Sequence, residues 1–218
     1  MRRLDCTDPA SRASSVALAT GALRRHQLVV LPTDTVYAVA CDAFSDEAVA
    51  LLNEAKRRTA VDTLPVMIGS LRTLDGIVTG LEPAARDLLK GYWPGPLTAT
   101  CWAQPSLAWN LGGDGSRVAV RMPLHPLALA VLQEVGPLVA VAANRAGGPV
   151  PLTCDDAVEQ LGDAPSFYLD AGPCRPAPPS TIVDLTAQPP CVRREGALPT
   201  EVLAQTLPAL AGVEVREP

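Results

Sequence analysis

No two cysteines of this chain form a CxxC pair, and only His26 and His125 could join them as nitrogen ligands. Cys6, Cys41, Cys101, Cys154, Cys174 and Cys191 are scattered, which argues against a structural zinc site. No apolar run approaches the roughly 18 residues of a membrane span. The opening MRRLDCTDPASR turns polar where a signal peptide needs an apolar stretch. The simplest expectation is a cytoplasmic protein with reduced thiols. There is no GxGxxG and no Walker A sequence, so a nucleotide, if held, is held by neither a Rossmann turn nor a P-loop. Basic residues are not in excess either: 18 Lys and Arg against 23 Asp and Glu leave a net charge of −5. That balance argues against a broad electrostatic grip on nucleic acid.

What is present suits one large domain. With 218 residues, 48% of them hydrophobic, the chain can bury a full core, and a single domain over 1–218 with its core at about 10–205 is expected. Asp8 followed by Pro9 caps a helix over 10–25, and Ser45 caps another that ends at Lys56 to Arg58. Further helices are predicted over 70–79, 83–92, 126–134 and 153–161. Apolar runs rich in β-branched residues predict strands over 27–31, 36–41, 64–68, 97–102, 118–122, 138–141, 166–170, 181–185 and 191–194. Helices between strands, with some strands joined by short turns, give an α/β fold with a mixed sheet. The Pro-rich stretch Ala171 to Ser180 reads as a surface loop because strand signals resume at once.

Short polar segments interrupt these runs at strand ends, which is how an α/β protein builds one site from several loops. They are PTDTVYA (Pro32 to Ala38), KRR (Lys56 to Arg58), YWPGPLT (Tyr92 to Thr98), VAVRMP (Val118 to Pro123), VAANRAGG (Val141 to Gly148), STIVD (Ser180 to Asp184) and RREGA (Arg193 to Ala197). In this order they resemble the motifs of the YrdC/Sua5 family of L-threonylcarbamoyladenylate synthases. The resemblance covers about residues 24–203. It implies a twisted mixed sheet flanked by helices around a large concave cavity. It also implies synthesis of threonylcarbamoyl-AMP from L-threonine, bicarbonate and ATP, supplied with Mg2+. Pyrophosphate leaves, and downstream transferase proteins use the product to make t6A at position 37 of tRNAs that read ANN codons. The extra C-terminal domain of the longer members is expected to be absent, and direct tRNA binding to be weak or absent. A carbamoyl-adenylate-forming or carbamoyl-transfer relative, and a non-enzymatic RNA-binding module, are the competing readings.

The reaction brings two anions together, so the protein must neutralise charge and align an attack. Carried over by the resemblance, Lys56 and Arg58 bind the ATP phosphates and are the catalytic pair. Ala142, Asn144 and Arg194 complete the ATP site, while Thr35, Arg121 and Ser180 hold threonine. No residue is assigned to a metal, and Asp34 and Asp184 are expected to be structural. Lys56 and Arg58 are expected to face solvent in the cavity, converging if the chain leaves the helix between them. The chain departs from the family pattern where Ala142 and Ala146 replace hydroxyl residues, where Ala38 replaces glycine, and at Arg57 and Thr59 within KGRP. Gly69 is read as the position often held by histidine.

Overall fold

The computed structural model describes residues 2–59 and 63–211. The ends of the expected 1–218 domain therefore lie outside the described residues. In chain order the strands are β1 (Arg2–Asp5), β2 (Val29–Pro32), β3 (Tyr37–Asp42), β4 (Val66–Met67), β5 (Val78–Thr79), β6 (Leu97–Ala103), β7 (Arg117–Arg121), β8 (Leu138–Ala142), β9 (Phe167–Asp170), β10 (Thr181–Asp184) and β11 (Cys191–Arg194). The helices are α1 (Pro9–Leu23), α2 (Asp46–Ala55), α3 (Leu71–Ile77), α4 (Pro83–Tyr92), α5 (Pro126–Val135), α6 (Cys154–Leu161) and α7 (Thr200–Ala204). The strands form one sheet in the order β1-β9-β2-β3-β8-β4-β7-β6-β10-β11, with β5 paired to β6 off this path. Antiparallel pairing joins β2, β3, β8 and β4, whereas β9 to β2, β4 to β7 and β6 to β10 are parallel. The sheet is mixed, as the short turns between some strands predict.

Side chains alternate across each strand, and the two faces bury different clusters. In β3, Val39 and Cys41 join Val66, Val118, Val120 and Val139 on one face, beneath residues of α2, α3 and α4. Ala38 and Ala40 point the other way, toward Ala19, Leu23, Leu127 and Val131 of α1 and α5. Each fully buried Val or Leu contributes about 1.5–3 kcal/mol, so both faces are strongly driven to pack. No helix among the described residues is long and apolar enough to cross a membrane.

Helix starts follow the capping chemistry. Asp8 Oδ1 accepts from Ala10 N at 3.0 Å with Pro9 at the first helical position, and Ser45 Oγ accepts from Ala48 N at 3.2 Å. Thr153 and Asp156 form a reciprocal capping box on α6. Helix α7 is unforeseen and β4 is shorter than expected, and two further differences have a visible cause. The polar start contains β1, an edge strand parallel to β9 that buries Leu4 alone and pairs Arg3 with Asp170 and Asp155. The helix predicted over 70–79 stops at Ile77, because Val78 and Thr79 extend to pair with Ala103 and Trp102.

Candidate active site

A cavity of about 460 Å3 opens on the face that α1 and α5 leave uncovered. Its floor comes from alternating positions of the central strands. Ala119 and Arg121 of β7 turn toward it, while Val118 and Val120, which alternate with them, enter the opposite core. Ala38, Ala140 and Ala142 add further small side chains, so the floor sinks where larger residues would fill it. Thr33, Thr35, Thr98, Arg121, Ser180 and Arg194 supply the polar groups of the wall.

Arg121 is the best-anchored of these. The residue is 6% exposed, and its guanidinium donates from Nη2 to Asp34 Oδ1 at 2.7 Å, from Nη1 to Thr35 Oγ1 at 3.1 Å and from Nε to Gly95 O at 3.2 Å. Three of five N–H donors are thereby used, and two remain for a ligand. Asp34 has a structural partner in Arg121, as the PTDT turn folds its threonines into one network. Thr33 Oγ1 lies 3.1 Å from Thr35 Oγ1 and accepts from the amides of Thr35 and Val36. Across the cavity, Ser180 Oγ sits 2.9 Å from Thr98 Oγ1, and Arg194 Nη2 donates to Ser180 O at 2.9 Å. Partial burial first, and the positive charge of Arg121 second, lower the pKa of Arg194. Two guanidiniums that repel each other across an apolar floor make a ready site for an anion. Asp184 lies off this wall and accepts from Arg193 at 2.7 Å and from Thr186, a structural role.

Lys56 corrects the expectation of a solvent-facing pair. The helix ends at Ala55, and Arg57 takes φ +52°, so the chain does leave the helix between Lys56 and Arg58. They nevertheless part. Lys56 is 7% exposed and donates from Nζ to Ala142 O at 2.6 Å and Asn144 O at 2.5 Å, beneath the loop that follows β8. Arg58 lines a neighbouring hollow of about 320 Å3 with Asp46, Asn53 and Leu111. Burial first, and Arg58 second, lower the Lys56 pKa to about 8. Asn144 also faces its own loop, donating from Nδ2 to Arg145 O at 3.1 Å and Gly148 O at 3.0 Å. Thr35, Arg121, Ser180, Ala142 and Arg194 thus share the cavity wall, and Lys56 and Asn144 brace the loop at its rim. Gly69 is not on that wall: a Cβ there would meet Gln133 N at 2.8 Å, so α5 packs directly on its backbone. From this strand region Thr63, Pro65, Val66 and Met67 line the cavity.

Sequence reasoning assigned no role to Thr98 or Met67. The signal that marks the cavity floor is Val–Ala alternation, in Val118 to Val120 and again in Val139 to Ala142. In a strand buried on both faces, alanine at every second position leaves room on one side. Because Ala142 borders the cavity with only a methyl group, Ala142→Ser should tighten ATP about fivefold at unchanged melting temperature, one net hydrogen bond being worth about 1 kcal/mol. Titration calorimetry and thermal melts check it; unchanged affinity with a lower melting point would place the methyl away from the nucleotide.

The fold and the site define an α/β protein whose mixed sheet floors a cavity walled by hydroxyl groups and two arginines. The Sua5/YciO/YrdC profile, described as telomere recombination, matches residues 21–196, and the chain belongs to that family. A Mycobacterium tuberculosis protein provisionally named threonylcarbamoyl-AMP synthase is 45% identical over 203 residues, covering 93% of this chain and 94% of its own. The threonylcarbamoyl-AMP synthase of Pyrococcus abyssi is 33% identical over 193 residues, 88% of this chain and 57% of that protein. The crystal structure of P. abyssi Sua5 complexed with L-threonine matches with a TM-score of 0.90 at 30% identity, over 96% of this chain and 62% of that one. This chain thus spans about three fifths of the P. abyssi proteins and nearly all of the mycobacterial one.

Proposed function

We propose that this protein is a threonylcarbamoyl-AMP synthase that acts in the cytoplasm and supplies the t6A modification of tRNA. The observation that carries this reading is the convergence of Thr35, Arg121, Ser180, Ala142 and Arg194 on one cavity in a chain of this family. The L-threonine held by P. abyssi Sua5 supports it. The amine of L-threonine and bicarbonate give a carbamate with loss of water. A carbamate oxygen then bonds to the α-phosphorus of ATP while the bond to the bridging oxygen breaks and pyrophosphate leaves.

The residues supply charge and alignment. Arg121, held by Asp34 and Thr35, takes the threonine carboxylate through its two remaining donors, an arrangement suited to a planar fork. Ser180 completes the threonine side and Arg194, which donates to its carbonyl, meets the phosphate side, while Lys56 and Asn144 fix the loop carrying Ala142. Arg58 lies close enough to Lys56 to lower its pKa and adds positive charge beside that loop. Bringing carbamate and triphosphate together relieves the repulsion between Arg121 and Arg194. Magnesium enters on the triphosphate as part of the substrate, which is how this ion is commonly carried to phosphate chemistry. The product, a reactive mixed anhydride, passes to the downstream transferase proteins.

Pyrophosphate release from MgATP should require both L-threonine and bicarbonate, measured by a coupled phosphate assay with each omitted in turn. Release at an unchanged rate without threonine would overturn the assignment and favour formation of a plain carbamoyl adenylate.

A further inference from the structure

Gln160, near the end of α6, turns both ends of its amide onto one loop. Its Oε1 accepts from Arg145 N at 3.0 Å, and its Nε2 donates to Pro149 O at 2.7 Å. A side-chain amide satisfies a backbone donor and a backbone acceptor at once through two separate atoms, so it can bridge two points of one loop. The loop is held from the opposite side by Lys56, whose Nζ donates to Ala142 O and Asn144 O and whose own carbonyl accepts from Ala146 N at 2.9 Å. Residues 142–149 are thus clamped between the end of α2 and the end of α6.

Gly148 is cut to fit this clamp. It lies beside Arg145, donating to Arg145 O at 2.9 Å, and a Cβ on it would come within 2.3 Å of Gln160 Oε1. The glycine therefore marks a place where the Gln160 amide closes over the backbone, and a side chain there evicts the amide. The far side of α6 is fixed in turn: its capping box has Asp156 Oδ2 accepting from Leu152 N at 3.0 Å and Thr153 N at 2.8 Å. A short, well-capped helix bearing a bidentate amide is a rigid support for a loop that has no regular structure of its own.

We propose that Gln160 is a positioning residue for nucleotide binding: interlocked with Gly148, it sets the loop that presents Ala142 to the cavity. The proposal rests on the reading of that loop as the ATP-facing rim. Gln160 lies off the cavity wall, so its effect passes through the loop backbone and falls on the nucleotide rather than on threonine. Two hydrogen bonds, each worth about fivefold, put the expected weakening near an order of magnitude or more.

The test is calorimetric titration of ATP into wild-type protein, Gln160→Ala, Gly148→Ala and the double variant, with steady-state KM values for ATP and threonine and thermal melts alongside. Gln160→Ala should raise the Kd and KM for ATP about tenfold and lower the melting temperature by only a few degrees, while the KM for threonine stays at its wild-type value. Gly148→Ala should match it, and the double variant should be no worse than either, because both remove one interlock. Gln160→Glu, which keeps the acceptor for Arg145 N and loses the donor to Pro149 O, should fall between wild type and alanine. Wild-type ATP affinity in Gln160→Ala overturns the proposal alone, as does an equal loss for ATP and threonine. Failure of the wild-type protein to bind ATP overturns the nucleotide reading and the proposal with it.

Discussion

Lys56→Met should cut turnover by about a hundredfold, the usual loss when a preorganised charge beside a phosphoryl centre is removed. The same change should erase a pH dependence of stability. In the folded protein, burial and then the nearby Arg58 lower the Lys56 pKa from 10.5 to about 8. Between those two values the unfolded chain binds a proton that the folded one has released, so stability rises with pH across the window. Below about pH 8 the lysine is charged in both states and its burial penalty is constant; above about 10.5 it is neutral in both. Melts from neutrality to about pH 10.5 should therefore show a rise in wild type that is missing in Lys56→Met. The variant also leaves Ala142 O and Asn144 O without their donor, at roughly 1–3 kcal/mol each. A rise of equal size in both proteins would place the titrating group elsewhere, and full turnover in the variant would take Lys56 out of the catalytic machinery.

Arg121 should show the second large effect. Removing it alone leaves the Asp34 carboxylate, 12% exposed, without its cation, and breaking a buried pair from one side commonly costs about 3–5 kcal/mol. Arg121→Ala is therefore expected to lose both stability and threonine binding. The double variant Asp34→Asn, Arg121→Met separates the two, since it removes both charges and keeps the packing volume. It should recover most of the melting temperature yet retain a threonine KM raised about a hundredfold, the value of a lost charge-assisted pair. ATP affinity should change far less. A double variant that melts like wild type and binds threonine normally would assign Arg121 to the fold alone.

Most of the sheet could be read from the sequence because its strands follow simple patterns: β-branched runs bounded by turns, and helices opened by Asp8, Ser45 and Thr153. Thr35, Arg121 and Ser180, singled out by the resemblance of their motifs to the family's, do meet at one cavity. Where the reading missed, the deciding contact lies far away in the chain. β1 is charged at three of four positions and becomes a strand only because β9 offers it a parallel edge. Thr79 leaves its helix for Trp102. Lys56 looks like a solvated helix end until its carbonyl acceptors, 86 and 88 residues onward, are brought beneath the helix. Gly69 reads as the position often held by histidine, although what it provides is room for the backbone of α5.

The seating of β10 beside β6 has a consequence for how the molecule comes together. Thr98 and Ser180, which meet across the cavity, are 82 residues apart, and Asp34 and Arg121 are 87 apart. Loops of that length must close before their contacts give anything back, which slows the search for the native arrangement. Until residues 181–194 arrive, the long edge of β6 stands open, a template for any stray strand. When β10 and then β11 zip onto it, Ser180 and Arg194 arrive with them. The seam that ends the hazard of aggregation during folding is therefore the same seam that completes the binding floor, and a chain that has not finished folding has no site to fill.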